Sequence, residues 1–178
     1  MGPGWNKAFG DIYLEELGEE LRRLGILNHF QIVQIKEKYG ALRVYTGGSP
    51  QSVYDIIDKY EAISEHVCYE CGALDVPVID DFGWYLPVCE ECYNKHVQSL
   101  SERYGKDFKW NPPTYKTRIE QGYNEEERDF TIPESVTYMG SRPTSDGGYE
   151  SYQRVIPFGD TVKKIRAKAA IKEEKAHE

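Results

Sequence analysis

The sequence predicts an α+β fold: a helix–β-hairpin–helix layer followed by a treble-clef-like zinc finger, with a C-terminal extension of partial β-structure. Leucines recur at helical spacing early in the chain, two β-branched runs meet at a glycine, and two Cys-x-x-Cys pairs stand 17 residues apart. At 178 residues the chain holds one domain of ordinary size, or a small domain with a long extension. The predicted units are 1–65 for the layer, 66–105 for the finger, 106–160 for the extension and 161–178 for a mixed-charge helical or flexible tail.

The first predicted element is a helix over residues 7–25. An apolar stripe marks its buried face, because its members recur at the spacing of helical turns. Gly25 suits the left-handed position that ends a helix, and Ile26 can pack back across it. Trp5 comes just before this helix, and we expect it to pack under the first turn. The stripe consists of Leu14, Leu17, Leu21 and Leu24.

A β-hairpin and a second helix complete the predicted layer. Residues 30–36 and 41–46 are rich in β-branched and aromatic side chains, and the segment between them ends in Gly40. Ser49 and Pro50 then resemble a helix start, with the serine as cap and the proline at the first helical position.

The cysteines carry the strongest chemical signal. The chain has four, arranged as Cys68-Tyr-Glu-Cys71 and Cys89-Glu-Glu-Cys92, and this spacing is typical of a structural four-thiolate zinc site. Two disulfides or a redox dithiol are the competing interpretations, although a redox pair needs only one such motif in a thioredoxin-like context. A flanking histidine could also replace a cysteine as ligand. The residues concerned are Cys68, Cys71, Cys89 and Cys92 as ligands, with His66 and His96 as substitutes.

The segment around the cysteines predicts the order of the finger. Gly72 can relieve a tight turn after the first pair, two short apolar runs flank a turn at residues 80–83, and the second pair opens a helix that stops at Gly105. A helix N-terminus stabilises thiolates through its free N–H groups. Trp84, in the second apolar run, is expected to pack in the core.

The C-terminal third gives weaker signals. Strand character is predicted at residues 114–119, 130–139 and 149–158, with an exposed loop at 141–148. From Asp160 the pattern indicates a helix poor in large apolar residues, which is expected to fray when alone.

Charge is unevenly distributed. The net charge of −8 argues against a general nucleic-acid coat protein, and residues 55–91 alone hold ten acidic residues against one lysine. Residues 101–118 carry a balance of +3 with aromatics interleaved, a composition suited to partner or single-stranded nucleic-acid contact. The competing interpretation is a linker packed on the finger with its lysines in water. The candidate contact residues are Arg103, Lys106, Lys109, Trp110, Tyr115, Lys116 and Arg118, with Trp84 and Tyr85 as further aromatic candidates.

The chain lacks an apolar run of membrane-spanning length and a signal-like N-terminus. All four cysteines fall within the two pairs, as metal ligands do in a reducing compartment. We therefore expect a cytoplasmic protein.

Several motifs together resemble a group of small, uncharacterised zinc-binding proteins of bacteriophages, prophages and mobile elements. The motifs are Pro3-Gly4-Trp5, the run from Val33 to Tyr45, the first cysteine pair with its glycine, and Gly83-Trp84, so the resemblance covers about residues 3–100. In that family the last ligand is often histidine, whereas here it is Cys92. The resemblance implies a bacterial host cytoplasm and a role in DNA transactions or in blocking a host defence.

Three functions remain open at this point. The first is a non-enzymatic protein that binds a protein partner, such as an inhibitor of a CRISPR–Cas effector, because no complete catalytic set is present. The second is a zinc finger that binds nucleic acid. The third is a divergent HNH-type nuclease, whose candidate groups are Asp80, Asp81, Asn94 and His96, although the hairpin lacks the histidine that activates water.

Overall fold

The computed structural model describes residues 1–104 and 111–176, with side chains as far as Ile171. It has a mixed α and β architecture with three separate two-stranded antiparallel sheets in those ranges, which confirms the predicted α+β class. The helices are α1 (Pro3–Trp5), α2 (Asp11–Arg23), α3 (Gln51–Ser64), α4 (Glu90–Tyr104), α5 (Tyr115–Gly122) and α6 (Thr161–Ala176), with a π-helical segment at Asn6–Gly10 and a 3-10 helix at Glu125–Glu127. The strands are β1 (Ile32–Lys38), β2 (Ala41–Thr46), β3 (Val78–Asp80), β4 (Tyr85–Pro87), β5 (Ser135–Pro143) and β6 (Tyr149–Pro157).

The helical N-terminus begins earlier than predicted. Pro3 lies in the first turn, where a missing N–H costs nothing, and α1 continues through the π-helical segment into α2. The predicted start at residue 7 is therefore wrong, and Trp5 lies inside the helical segment with its side chain fully buried. The predicted end is confirmed, because Gly25 has a φ of 70° and the Ile26 N–H donates to the Leu21 carbonyl at 3.0 Å.

The helices α2 and α3 pack together beside β2 and enclose the first core. Leu17 and Leu21 of the predicted stripe are buried, but Leu14 is exposed, so the stripe is only partly correct. Tyr13 takes its place on the buried face, since residues 13, 17 and 21 follow the four-residue spacing of one helix face. The opposite wall of this core includes Ile57 from α3.

The first hairpin forms as predicted, with a tighter turn. Tyr39 and Gly40 alone connect β1 to β2, and both have positive φ, 54° and 80°, as a two-residue hairpin turn requires. The predicted serine cap of α3 is wrong. Pro50 occupies the capping position, and the Ser49 hydroxyl instead bonds to the Thr46 hydroxyl at 3.1 Å.

The segment after the undescribed residues 105–110 is a helix where a strand was predicted for 114–119, so that prediction is wrong. The side-chain oxygen of Thr114 accepts from the Thr117 N–H at 3.1 Å and caps α5. Helical spacing then places Tyr115 and Arg118 on one face. The predicted helix stop at Gly105 lies outside the described residues.

The hairpin of β5 and β6 is shifted from the prediction at its first strand. The strand predicted at 130–139 begins only at Ser135, five residues later, and runs on to Pro143. The strands β5 and β6 pair over nine residues each. The loop predicted at 141–148 is therefore shorter, and only residues 144–148 form the turn. Only the base of the hairpin packs on α3, where Ile156 is buried and the Tyr138 hydroxyl bonds to the Asp58 carbonyl at 3.4 Å.

The C-terminal helix α6 is docked on the first core. Ile165 is buried, and Thr161 accepts a hydrogen bond from the buried Lys59 ammonium at 3.1 Å. The helix expected to fray when alone thus gains its stability from tertiary packing. Within residues 1–104 and 111–176, no helix is both long and apolar enough to cross a membrane.

Candidate metal centre

The first cysteine pair lies in a tight turn between two bridged residues, Val67 and Leu74. The Cys68 N–H donates to the Ala73 carbonyl at 2.7 Å, and the Gly72 N–H donates to the Cys68 carbonyl at 3.0 Å. Gly72 has a φ of 84°, which a side chain would strain. This turn directs both thiols of the pair to the same side, as a metal ligand pair requires.

The second pair is placed by a strand and a helix. The strand β4 leads into Cys89, and α4 begins at the next residue, so Cys92 lies in its first turn. The Tyr69 N–H donates to the Pro87 carbonyl at 2.7 Å and thereby ties the first turn to the end of β4. Because of this contact, the two pairs face each other.

The four thiols form one cluster. All four sulfur atoms lie within 4.8 Å of one another, and the Cys71 and Cys89 sulfurs are 3.6 Å apart. None of the four is in a disulfide. A tetrahedral ion with metal–sulfur bonds of about 2.3 Å separates its sulfurs by about 3.8 Å, so the cluster fits a four-coordinate metal. Neither His66 nor His96 belongs to the cluster.

The pKa values of the clustered thiols are shifted in opposite directions. Burial and the charge of Cys68 raise the pKa of Cys71 to about 11, and the same two causes raise the pKa of Cys92. Burial also acts on Cys68, but backbone N–H groups of Cys71, Cys89 and Glu70 hold its pKa below the ordinary value. A divalent cation would allow all four groups to ionise, because it supplies the positive charge that this arrangement lacks.

A small second core surrounds the thiols. Tyr93 is buried, stacks against Phe82 with ring centres 5.9 Å apart, and donates its hydroxyl proton to the Pro113 carbonyl at 2.7 Å. Tyr115 of α5 packs on the same core and donates to the Val88 carbonyl at 2.8 Å. The helix α5 is thus fixed by the Tyr115 side chain to this second core and its four thiols, which together we call the metal half.

The N-terminal turn docks on the first cysteine pair. The Gly4 N–H donates to the Tyr69 carbonyl at 2.7 Å, and the Trp5 indole donates to the Val67 carbonyl at 2.8 Å. A Cβ at Gly4 would lie 2.1 Å from the Cys68 carbonyl oxygen, so only glycine fits. Sequence reasoning missed this role, although the Gly-Pro-Gly-Trp motif held the signal.

The predicted basic segment separates into different environments. Arg118 bonds to Asp80 at 3.4 Å and lies over the Phe82 ring at 5.3 Å, so it packs on the metal half. Lys116 is exposed beside Glu120, and Arg103 lies over the Tyr104 ring. The remaining predicted contact residues, Lys106, Lys109 and Trp110, lie outside the described residues.

Two of the four candidate nuclease residues meet. The Nδ1 atom of His96 and the Oδ2 atom of Asp81 are 2.7 Å apart. Asp80 instead accepts from the Gly83 N–H at 2.6 Å, and Asn94 is exposed on α4. The hairpin histidine that water activation requires is absent from the sequence, so the set remains incomplete.

The tips of two hairpins form an aromatic surface. Trp84 is 62% exposed, so its predicted burial in the core is wrong; Tyr39 and Tyr85 are 77% and 56% exposed. The Glu37 carboxylate accepts from the Trp84 indole at 2.8 Å and from the Gly40 N–H at 2.7 Å, and so joins the two hairpins. A shallow cavity of about 490 Å³ lies here. We call this the tip surface and define it by Lys36, Lys38, Tyr39, Trp84 and Tyr85.

The chain matches no protein-family model, no curated protein and no solved structure. The resemblance to proteins of mobile elements therefore stays a prediction from the motifs.

Proposed function

We propose that the protein is a non-enzymatic, zinc-stabilised binding module that engages a protein partner. In this proposal Zn²⁺ is held by Cys68, Cys71, Cys89 and Cys92 in a treble-clef-like finger, and its role is structural. The four-thiol set supports zinc, because sulfur ligands in tetrahedral order are typical of structural zinc sites. The order of turn, hairpin and helix around the thiols supports the finger class.

The tip surface carries the proposal of partner binding. Trp84, Tyr39 and Tyr85 are three large aromatic side chains exposed together, and Glu37 holds the first of them in place. Aromatic side chains dominate the energetic centres of protein interfaces, and a group that is already ordered loses less entropy on binding. Exposed clusters of large apolar side chains are typical of interaction sites, and this cluster is also held in a fixed position.

The class of partner follows from the acidity of the chain and from the resemblance. A net charge of −8 favours a partner with basic surface, because complementary charge accelerates encounter. The motifs favour an inhibitor of a host defence system, such as a CRISPR–Cas effector. That narrower assignment depends on the resemblance alone.

The experiment is an affinity capture from nuclease-treated host lysate with zinc-loaded protein, in parallel with Trp84→Ala. The matched control is Tyr149→Ala, which removes a side chain 78% exposed on the other long hairpin. We expect one dominant protein that the control retains, and an affinity at least about thirtyfold lower for Trp84→Ala, the effect of an interface hot spot. Equal capture by both variants would contradict the tip surface as the binding face.

Nucleic-acid binding is the second candidate, because lysines lie against aromatic rings at the tip surface and beside it. Lys36 lies 4.8 Å from the Tyr45 ring centre, and Lys38 lies 5.3 Å from that of Tyr39. Side chains of these two kinds can hold single strands by stacking and charge. In a parallel capture from untreated lysate, recovery of nucleic acid alone, lost after nuclease treatment, would replace protein binding with this function.

A further inference from the structure

A second cavity lies beside the metal centre and shares Trp84 with the tip surface. Its volume is about 500 Å³. Cys92 also lines it, but neither the metal role of the thiols nor the binding role of the tip surface explains its polar wall. That wall includes Glu70, Asp81, Lys95 and His96, and its apolar wall includes Tyr69 and Trp84.

Asp81 is the unusual member of this wall. It is only 8% exposed. A carboxylate can only accept, so the Nδ1 atom of His96 carries the proton in their 2.7 Å contact. The other oxygen, Oδ1, is shielded from solvent and has no hydrogen-bond partner among the described residues. A buried carboxylate with one oxygen unpaired is costly, so its negative charge favours a positive charge that enters the cavity beside it.

The charges on the wall are predominantly negative. Asp81 and Glu70 contribute two carboxylates to the lining. Lys95 also lines the cavity, but its ammonium is directed to Glu91, at 2.6 Å, and not to these two carboxylates. The cavity is therefore acidic at its polar wall and aromatic at the other.

A guanidinium group satisfies both walls better than other cations. It is planar, so it can stack on an indole ring, and its N–H groups can approach a carboxylate in pairs. Its three-carbon stem suits apolar lining. A bare divalent cation fits less well, since the cysteines are the only described groups that bring three or more metal-ligating atoms within 4.8 Å of one another.

We propose that this cavity receives an arginine side chain of the protein partner, between Trp84 and the Asp81–His96 pair. The proposal rests on the proposed function, and it names the chemistry that the partner must present. Trp84 then contributes to two neighbouring sites, because it lines both the cavity of the tip surface and the acidic cavity.

The test uses zinc-loaded, full-length protein and two capped tripeptides, acetyl-Gly-Arg-Gly-amide and its citrulline counterpart. Citrulline keeps the shape of arginine and removes the charge. In NMR titrations we expect saturable shifts of the Trp84 indole N–H and the His96 ring with the arginine peptide, and about tenfold weaker binding of the citrulline peptide. Equal binding of the two peptides, or shifts that never saturate, would overturn the proposal.

Two variants assign the effect to the acidic wall. Asp81→Asn keeps the shape and can still accept from His96, and Glu70→Gln changes an exposed side chain. We expect the first to abolish the preference for arginine over citrulline and the second to reduce it, while Tyr149→Ala leaves it unchanged. Unchanged preference in both wall variants would overturn the assignment, as would displacement of the arginine peptide by millimolar Mg²⁺ with shifts of the same two signals.

The two proposals fail separately. If the partner is captured through Trp84 but Asp81→Asn binds it as tightly as the native chain does, the arginine subsite is wrong and partner binding stands. If the arginine peptide binds but the lysate yields no protein partner, the proposed function is wrong.

Discussion

The two cores of this protein are stabilised in different ways. The first core, between α2, α3 and β2, contains sixteen buried residues of the described chain, and all of them are apolar or aromatic. The second, around the thiols, contains five, and one of these is a cysteine. Apolar burial of about 25 cal/mol per Å² can stabilise the first, whereas the second has too little apolar surface to order its loops. We infer that the second core depends on a metal.

Removal of one thiolate should have the largest effect on the second core and little effect on the first. We expect Cys68→Ser to lower zinc affinity by more than about a hundredfold, because structural sites of this kind contribute about 10–16 kcal/mol of binding energy to folding. NMR signals of Tyr93 should lose dispersion, while those of Tyr13 in the first core persist. Zinc stoichiometry and the two-dimensional spectrum measure this. A folded, metal-free variant would contradict the dependence of the second core on metal.

A substitution that creates a cavity in the first core should instead destabilise the protein without changing its metal content. Ile57 is 2% exposed, and Ile57→Ala removes buried methyl groups, so we expect a loss of about 3 kcal/mol in the free energy of unfolding. The zinc content of the folded protein should stay at its native level. Denaturant unfolding with parallel metal analysis tests both expectations. Loss of zinc from the native state of this variant would show that the two cores do not differ as described.

The joint between the cores is the next target. In Gly4→Ala the new Cβ would lie 2.1 Å from the Cys68 carbonyl oxygen and 2.6 Å from the Gly72 nitrogen, both of them backbone atoms. We expect a loss of about 2–3 kcal/mol and weaker zinc binding, since the clash displaces the first cysteine pair. Gly18→Ala is the matched control, because its Cβ would meet only the flexible Arg22 side chain at 3.4 Å and should stabilise α2 by up to about 1 kcal/mol. Equal effects of the two substitutions would remove the special role of Gly4.

The smallest expected effect concerns the contact between α6 and the metal half. Arg166 bonds to both oxygens of Asp75, at 2.7 and 2.9 Å. Burial acts to raise the pKa of Asp75, but hydrogen bonds from Arg166 and the Ile132 N–H hold it below the ordinary value. A lowered pKa in the folded state stabilises the protein above the unfolded pKa, and this stabilisation is lost as pH falls through the folded value.

Asp75→Asn should therefore cost about 1 kcal/mol or less at neutral pH, because the ion pair is partly exposed. Below about pH 4 the difference from the native chain should diminish, since the native carboxyl then becomes protonated. Asparagine also tolerates the positive φ of 58° at this position. Denaturant unfolding at neutral and acid pH measures the difference, and a difference that grew in acid would contradict this sign.

The sequence predicted local features well and tertiary features less well. The cysteine spacing predicted the cluster of four thiols because a Cys-x-x-Cys turn is a local structure. The apolar neighbours of Trp84 in sequence predict burial, but its indole is held at the surface by Glu37, 47 residues earlier in the chain. The composition of Tyr115 to Ile119, rich in β-branched and aromatic residues, favours a strand, but contacts with the metal half fix this segment as the helix α5.

The metal dependence of the second core is tested most directly by X-ray absorption spectroscopy of the purified native chain, combined with its metal content. We expect one zinc ion per chain and four sulfur neighbours at about 2.3 Å. Removal of that ion with a chelator should disorder the second core and leave the first core folded. A fully ordered native chain without metal, or with its cysteines in disulfides, would contradict the dependence of the second core on zinc.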